Sequence, residues 1–300
     1  NPQTMNFTEG QVATNGALYL GSNKDLTTFM DGSISEVVFY SKVLNEAQEI
    51  IVSNYLGAKY NIAISNDYFE YQDTHPFDLA GIGRTNAANI HTKAQSSGIL
   101  SIGGASELGD NEFVLFAHDG TDILNWTLNE GPSSDVEVMR LQREWKTDIT
   151  GDGPGTVSIG IDTSALPALP DGYNAYNILI DSDGDFTSGA EFYGFVPAGP
   201  ELLANNVKLE DGDYIAVASV KAKVNFSSQA SAGLESLERP VIRVELSYAI
   251  SDPVNVAYSV TSGTADEEDY SLNDDILVFE PGERVKEIVP LIFEDTIVEI

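Results

Sequence analysis

At 300 residues, the chain has room for roughly two domains, or three small ones. Fifteen Lys and Arg against 47 Asp and Glu give a formal net charge of −32. That balance excludes nucleic acid, whose binding needs clustered Lys and Arg, and opposes anionic membrane surfaces. The absence of cysteine excludes disulfides, thiolate nucleophiles and zinc–sulfur sites.

The hydrophobic fraction of 42% argues for packed cores rather than an acidic disordered tail. No apolar run reaches the ~18 residues that a membrane span needs, so no direct membrane insertion is predicted. No leader peptide is visible. The chain opens at Asn1-Pro2-Gln3 and stops at Glu299-Ile300 inside an apparent pattern, so it reads as a piece of a longer protein. Dense carboxylates without matching bases favour divalent cations, although simple solvation accounts for most of them.

In chain order, Ala17 to Gly21 reads as a strand, Asp31-Gly32 as a turn and Ile34 to Tyr40 as a second strand. Asn45 then makes a good N-cap, with Gln48 three residues on in a capping-box arrangement. Ala47, Ile50, Ile51, Tyr55 and Ala58 recur at helical spacing, which predicts one helix near residues 45–60. From Asp67 to about Val220 the pattern alternates with period two, broken by Gly, Asn, Asp and Pro. Val157, Ile159 and Ile161, then Asn177 to Ile180, then Tyr214 to Val220 read as strands. Short strands with turn signals between them predict an all-β sandwich or barrel.

Lys221 to Ile300 continues as β. Ile242, Val244 and Leu246 alternate with polar residues, as do Val254, Val256, Tyr258 and Val260. Pro281-Gly282 reads as a hairpin turn. This stretch holds 16 acidic and 6 basic residues, a net of −10. No internal repeat is evident.

Two acidic constellations could hold a hard cation. Asp181-Ser182-Asp183-Gly184-Asp185, continuing through Gly189 to Glu191, places three carboxylates on alternate residues. They converge on Ca2+ if the chain turns at the glycine. The same residues equally suit a polar hairpin loop. The second set is spread over the last segment: Glu235, Asp269, and Glu294-Asp295-Thr296-Ile297-Val298-Glu299. One carboxylate per loop can serve a cation when a sandwich gathers its loops at one end.

These last residues carry a resemblance. Gly263-Thr264-Ala265, Asp269-Tyr270, Phe279-Glu280-Pro281-Gly282-Glu283, Lys286-Glu287-Ile288 and Glu294-Asp295 together resemble the Calx-beta family over about Lys223 to Ile300. The resemblance implies a seven-stranded immunoglobulin-like sandwich. It also implies calcium ligands at Glu235, Asp269, Asp295 and Glu299, with the Ile297 carbonyl. Thr296 departs from the family pattern, where a further Asp is common, and the final strands of the family fold have no counterpart. Phe29 to Tyr40, Leu44 and Tyr55-Leu56-Gly57-Ala58-Lys59-Tyr60 resemble the end of a laminin-G or concanavalin-like jelly roll. Gly81-Ile82-Gly83-Arg84, Arg140 to Lys146 and Ile178 to Phe186 are similar to an uncharacterised β domain of long secreted Bacteroidota proteins. That domain order implies outer-surface adhesins, including some exported by type IX secretion and some involved in gliding motility.

Nothing points to catalysis. His75, His91 and His118 are the only histidines and lack HExxH spacing. No GxSxG elbow or P-loop is present. Glu107 to Glu112 has the wrong spacing to put its carboxylates on one strand face. Arg140, Arg143 and Lys146 are expected to pair with neighbouring acids, and Trp126 and Trp145 to pack in cores.

The sequence therefore predicts an all-β chain of consecutive β-sandwich domains, jelly-roll-like and immunoglobulin-like, with one helix. Residues 1–64 are expected to end a laminin-G-like domain, 65–221 to form the uncharacterised β-sandwich, and 222–300 to form an incomplete Calx-beta domain. The expected function is a calcium-binding structural or adhesive segment of a secreted or cell-surface bacterial adhesin, not an enzyme. Its expected partners are an extracellular glycan or protein and neighbouring domains of the same chain. The alternative is a carbohydrate-binding or carbohydrate-processing protein with a lectin-like module.

Overall fold

The computed structural model describes residues 19–23, 25–132, 137–231, 239–261, 263 and 265–293. It forms two compact units, Asn1–Leu44 and Asn45–Ile300. In the first, an Asn23 side chain accepts the N–H groups of Thr27 and Thr28, closing a turn across which Ser22 bridges Phe29. The two strands predicted here do not form. Residues 17 and 18 lie outside the described residues, and neither 19–21 nor 34–40 is a strand. A β-prone sequence becomes a strand only when a ladder receives it. In this unit the Ser22–Phe29 bridge is the one pairing among the described residues. Ile34, Val37, Val38 and Phe39 are all exposed.

The second unit opens with helix α1, Glu46–Tyr60. Its start follows the sequence signal. The Gln48 N–H donates to Asn45 Oδ1 at 3.0 Å, and Gln48 Oε1 accepts the Asn45 N–H at 3.1 Å. Two of the donors left over at a helix start are thereby satisfied. Asn61 ends the helix in the left-handed region, donating to the Gly57 carbonyl.

Among the described residues, twenty strands follow. They are β1 (Phe77–Asn86), β2 (Asn89–His91), β3 (Lys93–Ser96), β4 (Leu100–Gly103), β5 (Glu112–His118), β6 (Trp126–Thr127), β7 (Val138–Thr150), β8 (Thr156–Ile161), β9 (Ala175–Asp181) and β10 (Glu191–Gly194). Then come β11 (Val196–Ala198), β12 (Glu201–Lys208), β13 (Tyr214–Val220), β14 (Val224–Phe226), β15 (Ile242–Leu246), β16 (Val254–Tyr258), β17 (Tyr270–Ser271), β18 (Asp275–Phe279), β19 (Val285–Ile288) and β20 (Leu291–Ile292).

Up to β13 the strands make a sandwich, so the all-β sandwich fold is as predicted. One sheet runs β10-β9-β13-β7-β5-β1-β2, with β6 added on β7; the other runs β11-β12-β8-β4-β3. Every pairing is antiparallel. The core between them takes Ile82, Val114, Phe116, Trp145, Ile178, Ile180, Ile215 and Val217 from the larger sheet. The smaller sheet contributes Leu100, Ile102, Val157, Ile159, Ile161 and Val207.

The larger sheet is covered on its other face as well. The apolar face of α1, through Ala47, Ile50, Ile51 and Ala58, packs with Leu79, Phe113, Leu115 and Ala117 of β1 and β5. On the far side, Leu179 of β9 and Ala216, Ala218 and Val220 of β13 share one buried cluster with Val244, Leu246, Ile250, Phe279 and Ile288 of the C-terminal segment. Burial on both faces explains why β5 and β13 read as near-continuous apolar runs rather than alternating ones.

The C-terminal segment forms three small sheets, β14-β15-β19, β16-β18 and β17-β20. Pro281-Gly282 makes a turn, but not a hairpin. It joins β18, paired to β16, with β19, paired to β15. Gly282 has φ +83°, which turns the chain from one sheet to another.

Candidate functional site

The acidic motif singled out in the sequence is the turn between β9 and β10. Asp181 Oδ1 accepts the N–H groups of Asp183 and Gly184, each at 2.9 Å. Asp183 Oδ1 accepts the Asp185 N–H at 2.9 Å, and Asp185 Oδ1 accepts the Thr187 N–H at 3.2 Å. Each carboxylate thus caps the backbone two residues on, the Asx arrangement that makes Asp favourable in turns. Gly184 sits at φ +83°, a conformation costly for a residue with a Cβ. Glu191 does not join the turn, since its Oε2 accepts the Tyr193 hydroxyl at 2.6 Å. Asp181 is buried. Burial raises its pKa against the two backbone N–H bonds, which lower it.

Of the five residues that the Calx-beta resemblance implies as calcium ligands, Asp269 alone is described. Glu235, Asp295, Ile297 and Glu299 lie outside the described residues. Asp269 Oδ2 accepts the Asp266 N–H at 2.7 Å. Beside it an open groove of about 1060 Å³ is lined by Asp266, Glu267, Glu268, Tyr270, Asp274 and Phe293. Among the described residues, no three His, Asp or Glu side chains gather closely enough to hold a metal ion.

A second charged feature takes in Arg140 and Lys146, two of the bases expected to pair with neighbouring acids. Strand β7 carries Arg140, Glu144, Lys146 and Asp148 at alternate positions, so all lie on one face. They run between the patch under α1 and the patch under the C-terminal segment. Arg140 is 3% exposed. It pairs with Glu130 at 2.5 Å and Glu144 at 2.9 Å, and lies 5.0 Å from the centre of the Phe186 ring. Lys146 Nζ is 4.2 and 4.0 Å from the ring centres of Tyr71 and Tyr214, and donates to the Tyr214 hydroxyl. Asp148 accepts the Glu70 N–H at 2.7 Å.

Aromatic cover dries this stripe, and the acids respond as desolvation requires. Burial pushes Glu144 up to about 7, with Arg140 opposing and Asp119 and Glu130 adding to the rise. Burial likewise lifts Asp148 to about 6. One guanidinium shared by two carboxylates leaves a net negative charge in a half-dry site. The sequence signal was present in the even-numbered charges of β7, but only the sheet shows that they share a covered face.

His75 and His118 are buried. Burial holds His75 down at about 4; its ring meets Tyr214 edge-on. His118 Nδ1 accepts the Gly120 N–H, so its proton sits on Nε2, 3.2 Å from Asp78. Trp145 is fully buried, its indole N–H reaching Ser96 Oγ at 3.2 Å, and Trp126 donates to the Ala168 carbonyl. Arg143 donates to the Thr121 carbonyl rather than pairing with an acid at contact distance.

A family model described as a domain of unknown function (DUF8202) matches residues 48–213, more than half of the chain. The chain belongs to the DUF8202 family. No curated protein and no solved structure matches it. The DUF8202 match starts inside α1 and stops at Asp213, one residue before β13. Yet β13 is hydrogen-bonded between β9 and β7, so the folded unit runs past the matched residues. Among the described residues, no helix is long and apolar enough to cross a membrane.

The junction between the DUF8202 sandwich and the C-terminal segment is tight. Only residues 221–223 separate β13 from β14. The Asn177 side chain donates to the Ala249 carbonyl at 3.2 Å, and the Phe192 and Tyr248 rings lie 5.3 Å apart. A Cβ on Gly194 would meet the Ala249 Cβ at 2.3 Å, so only glycine permits this approach. Lys223 pairs with Glu137 across the same joint.

Proposed function

We propose that this chain is a non-catalytic structural and adhesive segment of a large extracellular, cell-surface protein, in which two β units form one stiff body stabilised by calcium. The observation that carries the reading is the shared apolar cluster. Val138, Leu179, Phe186, Ala216, Ala218 and Val220 of the sandwich pack in one buried group with Val244, Leu246, Ile250, Phe279 and Ile288. A three-residue connection with an apolar joint behaves as a core rather than a hinge, whereas modules meant to move meet through smaller, more polar contacts. A segment of this kind sets spacing and direction along a stalk. It needs no reaction centre; on β7, Arg140 is held by two ion pairs, Lys146 by two aromatic rings and Asp148 by a backbone N–H.

Calcium enters through charge. At a net of −32, like charges oppose compaction, and a divalent ion bridging carboxylates relieves that opposition. Among the described residues, the carboxylates that this reading assigns to calcium are those of the turn at Asp181, Asp183 and Asp185 and of the groove beside Asp269. The test is thermal unfolding of the chain with millimolar CaCl2 and again with a chelator. A native-state ligand at 100 times its Kd adds about 2.7 kcal/mol, which is a rise of several degrees in Tm. That rise should shrink in Asp183→Asn/Asp185→Asn or in Asp269→Asn. An identical Tm with calcium and with chelator would end the calcium part of the proposal.

A further inference from the structure

The geometry points to the β9–β10 hairpin as a coupling element, through which the carboxylate-to-backbone bonds of the turn at Asp181–Asp185 set how firmly the C-terminal segment is held. The inference rests on the reading of residues 45–300 as one stiff body. Among the described residues, strand β10 is an edge strand paired to β9 alone, through the pairs Glu191–Ile180, Phe192–Leu179, Tyr193–Ile178 and Gly194–Asn177. Its position is therefore fixed from one side by that ladder and from its start by the turn. The residues that meet the C-terminal segment lie on these same two strands. Phe192 meets Tyr248, Gly194 meets Ala249, and Asn177 donates to the Ala249 carbonyl.

The turn also reaches the joint directly. Phe186, next to Asp185, is fully buried in the cluster shared by the sandwich and the C-terminal segment, under the Arg140 guanidinium. The carboxylate-to-backbone bonds from Asp181 through Asp185 to Thr187 fix the backbone on either side of Phe186. Loss of those bonds frees the ring from the seam and lets the β10 register slip, and a one-residue slip turns Phe192 to the opposite face.

The experiment is hydrogen exchange on the full chain, wild type against Asp183→Ala/Asp185→Ala, with Gly194→Val as a second variant. The double variant should speed exchange in 246–250, 254–258 and 275–279 by about tenfold or more, as a local opening does. Exchange in β5 and β8 should stay at the wild-type rate. Unchanged exchange in those segments, or equal acceleration throughout, would overturn the coupling. Gly194→Val wedges the joint without touching the turn. If it releases the C-terminal segment while the turn variant does not, the stiff-body reading stands and the coupling fails. If it leaves the segment protected, the joint itself is not what holds the two units together, and both fail.

Discussion

Glu144 sits in an environment that its sequence neighbours do not suggest. Its carboxyl shares Arg140 with Glu130 and titrates at about 7 rather than in the usual carboxylate range. The folded pKa is raised above the unfolded one, so the folded state binds the extra proton between about 4.5 and 7. The group's contribution is most favourable below pH 4.5 and is lost as pH rises through 7. Glu144→Gln should therefore flatten the stability profile over that window, by ~1 kcal/mol or more once solvent screening is allowed for. Denaturant unfolding at pH 5 and pH 8 reads the slope; an unaltered slope would mean that Glu144 is ionised in the folded state at both. His75 works in the opposite sense. Its pKa is lowered to about 4, so stability falls as pH drops from 6.5 towards 4. His75→Leu should make the chain less acid-sensitive in that window, as measured by Tm at pH 5 against pH 7.

Among the elements, α1 was the most legible in the sequence, because its signals are local. Asn45, Gln48 and the apolar spacing from Ala47 to Ala58 are all within one stretch of chain, and the helix forms where they place it. Asn45→Ala should cost about 1 kcal/mol, read as a lower denaturant midpoint with the same m-value. The strands of the sandwich were legible for a related reason, as apolar runs between turn residues. What the sequence could not convey was partnership. Ile34 to Tyr40 has strand composition but meets no ladder. Pro281-Gly282 has hairpin composition but links two sheets. The charges of β7 alternate plainly, yet their burial depends on Tyr71, Phe186 and Tyr214, which come from elsewhere in the chain. The Asp-rich turn was found from its spacing, but its carboxylates cap their own backbone rather than converge on one point.

At the scale of the molecule, the decisive feature is that the outer face of the larger sheet is divided between two covers. Helix α1 takes β1 and β5, and the C-terminal segment takes β9 and β13. The DUF8202 match alone, ending at Asp213, would leave the second half of that face without its cover. A chain with this arrangement gains from keeping both units together, since separating them exposes Ala216, Ala218, Val220 and Phe186 to water. That burial is what the proposed stalk role rests on.

The most direct test is the distribution of distances between spin labels placed on the sandwich and on the C-terminal segment. The chain has no cysteine, so Lys208→Cys on β12 and Arg243→Cys on β15, both exposed, can be labelled without background. A single narrow distribution, unchanged by viscosity or temperature, is the result expected of one stiff body. A broad or bimodal distribution would show that the C-terminal segment swings on residues 221–223, and would contradict the structural role proposed here.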